Sequence, residues 1–86
     1  MDDEGRLAVE RDLRLRLEAL RPAARAELLR VLDLTREERA EGIRVLYANV
    51  RLQTAAELLM DLEDDPAARA FVVAELRIMD QQDDAD

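Results

Sequence analysis

Residues 35–63 read TREERAEGIRVLYANVRLQTAAELLMDLE, and the fold turns on how this stretch is read. Val45, Ala48, Leu52, Ala55, Leu59 and Leu62 recur at alternating steps of three and four, the a/d spacing that packs one helix against another. Ile43, Leu46, Tyr47 and Val50 project from nearly the opposite side of the first half. The pattern predicts one central helix with two apolar sides, each needing cover from the chain itself or from a partner.

The local signals around it are consistent with helix. Thr35 followed three residues later by Glu38 is a capping box, in which the hydroxyl and the carboxylate each satisfy a free backbone amide at the helix start. Gly42 is read as a tolerated residue costing about 1 kcal/mol relative to Ala, although its missing side chain also allows a close backbone approach. At the far end Asp61-Leu62-Glu63-Asp64-Asp65-Pro66 stops the helix and starts another, with Asp65 or Asp64 as cap and Pro66 in the first turn.

Working outward, Pro22 removes a donor and disfavours helical geometry at Arg21, so it separates a helix over 6–20 from a second over 22–32. The first carries Val9, Leu13, Leu17 and Leu20 on one stripe, the second Ala24, Leu28, Val31 and Leu32. A single helix kinked at Pro22 is the alternative. A last helix over 67–80 presents a broad apolar arc that includes Phe71, Val72, Leu76 and Met79, with Glu75 near its middle. A carboxylate there either reaches solvent or an Arg, or anchors a partner chain by an ion pair. Residues 1–5 read as a frayed N-terminus, 1–80 as a single helical domain and 81–86 as an acidic disordered tail.

Composition supports the same class. Charged residues form 40% of the 86 and aromatics 2%, with two Gly and two Pro, the make-up of long helices rather than sheets. The expected fold is all-α, a small bundle of three to four helices with a long central helix, completed by dimerisation because so short a chain supplies only a few kcal/mol of core.

The chain contains no Cys, His, Ser, Lys or Trp. Nucleophiles and proton carriers come mainly from those residues, so an enzyme is not expected, nor a thiolate metal site or a cofactor. The acidic cluster from Asp61 to Asp65 fails as a calcium loop, since the sixth position is Pro66 where Gly is needed. No apolar run approaches the ~20 residues of a membrane span, and the acidic start is the reverse of a signal peptide; a cytoplasmic protein is expected.

Charge is uneven. Residues 5–51 carry a net +3 and residues 52–86 a net −8, which favours head-to-tail or antiparallel association and a basic partner for the C-terminal half. The function expected is a non-catalytic protein-interaction module, a regulator, adaptor or inhibitor, that binds a protein partner or a second copy. Its interface would comprise Val45, Ala48, Leu52, Ala55, Leu59 and Leu62 with Phe71, Val72, Glu75, Leu76 and Met79. An alternative is an acidic inhibitor that mimics DNA or neutralises a basic toxin or nuclease.

A third reading turns on Leu13-Arg14-Leu15-Arg16-Leu17, which alternates as a strand does. Taken as an intermolecular strand before two helices, residues 13–55 resemble the ribbon-helix-helix repressors, whose paired strands read the DNA major groove. The glycine-containing turn of that family is missing, no site is carried over, and the overall net charge of −8 opposes duplex binding, so no nucleic-acid partner is expected.

Overall fold

A computed structural model describes residues 3–84, and all of its regular structure is helical: α1 Asp3–Ala19, α2 Pro22–Leu32, α3 Arg36–Tyr47, α4 Gln53–Leu62 and α5 Pro66–Asp84, with a 3-10 turn at Val50–Leu52 between α3 and α4. Among the described residues there is no strand. Leu13 to Leu17 lie within α1, which settles the strand ambiguity. A strand would turn all three leucines to one side; here Leu13 and Leu17 are buried while Leu15 is 59% exposed. The ribbon arrangement on which the repressor resemblance depended is therefore absent.

The long central helix does not form. It is broken at Ala48 and Asn49, and five α-helices replace the three or four expected. Asn49 leaves helical geometry (φ −102°, ψ 114°), and its side-chain oxygen accepts the Arg51 amide at 3.0 Å. Asn offers the backbone a local alternative to the helical ladder, which is why it interrupts helices. The end of α3 is closed by the Gln53 side chain, which donates to the Tyr47 carbonyl at 3.1 Å. Arg39 stands level with Glu63 and Tyr47 with Gln53, so α3 and α4 form an antiparallel helical hairpin.

Break and phase together explain what is inside. α4 contacts α2, α3 and α5, and α2 contacts α3, α4 and α5, so two short helices occupy the centre in place of one long rod. Covered on three sides, α4 buries Ala55, Ala56, Leu58, Leu59 and Leu62. α2 buries the four residues expected of it. α1 lies along α5, where Val72 and Leu76 join the core.

Gly42 supports a close approach after all. A Cβ there would sit 3.1 and 3.2 Å from the two methyls of Val31, a fully buried residue. The absent side chain lets α3 settle against α2.

Helix starts follow the local chemistry. The capping box at Thr35 and Glu38 is present in both directions, and Asp65 accepts the Ala68 amide at 3.1 Å as Pro66 opens α5. α1 begins earlier than expected, at Asp3, where Asp3 and Glu4 complement the positive end of the helix dipole. Residues 3–5 are thus helical, while Met1 and Asp2 lie outside the described residues. Likewise residues 81–84, expected as tail, continue α5, since Gln sustains a helix well; residues 85–86 lie outside the description.

Three arginines close helix ends in the same way. Each sits three residues after the first residue of a helix and reaches back to the last carbonyls of the preceding segment. Arg25 donates to Leu20 O at 2.8 Å and Leu17 O at 3.4 Å. Arg39 donates to Leu34 O at 2.9 Å, and Arg69 to Leu62 O at 3.0 Å and to Glu63 O. These carbonyls lie at or just past helix ends, where the ladder leaves acceptors open; those of Leu17 and Leu62 also accept the Leu20 and Asp65 amides, and a cation there complements the negative helix end.

Arg39 additionally donates from Nε and Nη2 to the two Glu63 oxygens, both at 3.2 Å. Those hydrogen bonds, with the charges of Arg39, Arg69 and Arg36 behind them, outweigh partial burial and hold the Glu63 carboxyl below the ordinary glutamate range. A carboxyl whose pKa is lower folded than unfolded adds stability that is complete above the unfolded value and disappears as pH falls through the folded one. Urea midpoints are therefore expected to decline as the solution is acidified through the carboxylate range, and less steeply for Glu63→Gln. An unchanged acid slope in that variant would remove Glu63 from the account.

Candidate interaction surface

The eleven residues expected at a partner interface divide between inside and outside. Ala55, Leu59, Leu62, Val72 and Leu76 are buried by the chain itself, and Leu52, Phe71 and Met79 are partly buried against the same core. Val45 and Ala48 are exposed. The physical reason is the break at Asn49: α4 restarts in a new phase, so the continuous seam from Val45 to Leu62 does not exist. In α3 it is Leu46 that points inward.

Glu75 is paired within the chain. Its carboxylate lies 3.1 Å from Arg14 Nη2, and the same guanidinium stands 5.6 Å from the centre of the Phe71 ring. The Glu75 hydrogen bond and charge raise the Arg14 pKa from its ordinary value. Together these contacts dock α1 on α5, which makes Glu75 and Phe71 parts of an internal contact.

Three more acids of the C-terminal half have partners within the chain. Asp61 meets Arg16 at 3.1 Å, Glu63 meets Arg39, and Asp65 caps α5. Among the described residues no group of three or more acids is placed to hold a metal ion, and no helix is long and apolar enough to cross a membrane.

A different apolar set is left open to solvent, exposed except for Ile43, which also packs partly against the core. Ala40, Ile43, Tyr47 and Ala48 of α3 and Met60 of α4 line one shallow depression along the hairpin, with Arg44 at its edge. Tyr47 is 47% exposed, Met60 55%, and Val50, in the turn at the end of the hairpin, 80%. In α3 these residues fall at helical steps, with Ala40, Ile43, Tyr47 on one face and Arg36 and Arg44 beside them. Val45, two positions from Ile43, points to the far side of α3 and does not belong to the set.

The flanks differ in charge. α4 contains no basic residue, and Met60 is flanked at helical steps by Glu57 and Asp64, both exposed. The α3 side carries both signs, Arg36 and Arg44 with the exposed Glu37 and Glu41 beside them, Arg44 standing 3.6 Å from Glu41 and widely open to solvent. Sequence reasoning had found Ile43, Tyr47 and Val50 as a second apolar side. It missed Met60, whose role depends on the antiparallel turn that brings α4 beside α3.

A second depression of about 200 Å³ lies between α1 and α5, lined by Val9, Leu13, Ala68 and Phe71 among others. Arg6 and Glu10 at its mouth approach each other within 3.7 Å. Its apolar floor is smaller and its rim is of mixed charge.

Compared with known protein families, curated proteins and solved structures, the chain matches none.

Proposed function

We propose that this protein is a non-catalytic interaction module and that the α3–α4 hairpin face is where it meets another protein. One observation carries the reading: Ile43, Tyr47, Ala48 and Met60 line one contiguous apolar surface that spans α3 and α4. Contiguous exposed apolar patches rimmed by charge mark binding sites, whereas scattered exposed residues do not. A side chain such as Tyr47, large and stiff with a polar tip, supplies contact area at low entropic cost.

The non-catalytic reading rests on composition. With Ser, Cys, His and Lys absent, the remaining hydroxyls belong to Thr35, which caps α3, and to Thr54 and Tyr47 on the surface. In the acidic-inhibitor reading Asp61 and Glu63 are already paired with Arg16 and Arg39, while Asp64 stays exposed; the apolar face is preferred here because it joins two helices into one surface.

The test places a photo-crosslinking amino acid at position 47 of the full chain, in the cells that make it, with the same group at Leu15 and Ile78 as exposed controls on α1 and α5. A discrete protein adduct at position 47 and none at the controls is expected. Equal labelling at all three positions, or none at position 47, overturns the proposal.

A further inference from the structure

Resting on that reading, we infer that the occupant of the α3–α4 face is a second copy of this chain, docked about a two-fold axis that runs along the hairpin. The first support is charge. Face-to-face pairing of two hairpins allows two orientations: an axis across the helices sets α4 on α4, acid against acid, while an axis along them sets α3 on α4. Because α3 and α4 are antiparallel, with Arg39 level with Glu63 and Tyr47 level with Gln53, the second orientation brings Arg44, which in the single copy stands beside Glu41, level with Glu57 of the second copy and Arg36 level with its Asp64. Each contact occurs twice by symmetry, as a self-complementary interface requires. Between them Met60 of one copy covers Ile43 and Ala40 of the other, and Tyr47 lies over the start of the other's α4, level with Gln53.

The second support is area. The chain exposes 6134 Å², against the roughly 5,200 Å² expected of a compact chain of 9.8 kDa. The excess is on the order of the ~800 Å² that one partner buries in a standard interface.

Sedimentation of the purified full-length chain from micromolar to millimolar concentration tests this. The wild type is expected to pass from one to two chain masses. Tyr47→Glu, an exposed site that leaves the core untouched, is expected to remain a monomer throughout. Arg44→Glu and Glu57→Arg are each expected to weaken self-association several-fold, and the two reversals combined in one chain to restore it, since the pairing is then rebuilt with the signs exchanged. A wild-type monomer at millimolar concentration overturns the second copy; a crosslink from position 47 to a different protein would then still uphold the interaction face. A dimer indifferent to Tyr47→Glu, or a combined variant no stronger than the single ones, overturns the surface assigned here.

Discussion

Leu59→Ala is expected to lower the free energy of unfolding by about 2–5 kcal/mol, the usual cost of emptying a fully buried leucine site. Leu59 is 2% exposed, on a helix bounded by α2, α3 and α5, so its surroundings can collapse little. A chain of this length has a total stability of roughly 4–13 kcal/mol, and the variant will be partly unfolded at room temperature at the lower end of that range. Met60→Ala, one position further on, is expected to change stability by no more than about 0.5 kcal/mol. Urea unfolding followed by circular dichroism makes the comparison. The opposite ranking would mean that Leu59 belongs to an interface between molecules and that the assignment of α4 to the interior is wrong.

The second large effect concerns the arginine clasps. Arg69→Ala is expected to cost about 2–3 kcal/mol, because charge-assisted hydrogen bonds contribute about 1.5–3 kcal/mol and the Glu63 carbonyl loses the Arg69 donor, although Leu62 O keeps the Asp65 amide. Arg69→Lys should recover only part of it, since an ammonium keeps the charge but not the planar fork. Arg30, whose contacts are to Glu27 on the same helix surface, is the control: Arg30→Ala should cost only a few tenths of a kcal/mol. Thermal melts of the three variants decide the matter, and equal losses at positions 69 and 30 would show that the clasp is ornamental.

These arginines also show what the sequence holds in plain view. Pro-Ala-Ala-Arg occurs at 22–25 and again at 66–69, and both copies fold alike, with Pro in the first turn and Arg returning to the helix before it. The two prolines locate their helix starts from sequence, as Thr35 and Glu38 do for α3, because those signals act within a single turn. The break at Asn49 is local too, yet the regular spacing from Val45 to Leu62 spans it. Counting apolar positions assumes that a helix keeps its phase, and a 3-10 turn at Val50–Leu52 resets it.

The consequence reaches the site. With phase lost, Leu58 and Ala56 become core, Val45 faces away, and the apolar surface left outside is assembled from α3 and α4 across the turn. Residue types on either side were legible, whereas their adjacency required the antiparallel pairing fixed by Arg39 with Glu63 and by Gln53 with the Tyr47 carbonyl. Glu75 illustrates the converse case. Its place in an apolar arc was evident, and only the docking of α1 supplied Arg14 as its partner.

Tyr47 is the only tyrosine and the chain has no tryptophan, so its emission reports on the α3–α4 face alone. The most direct measurement is acrylamide quenching of that emission as the concentration of the chain is raised. Quenching should be efficient in dilute solution and fall as the face is covered, while Tyr47 emission in a folded Arg44→Glu variant stays open to the quencher over the same range. Quenching that remains constant from dilute to concentrated protein, or that is already weak in the dilute monomer, would contradict an open apolar face made to receive another molecule.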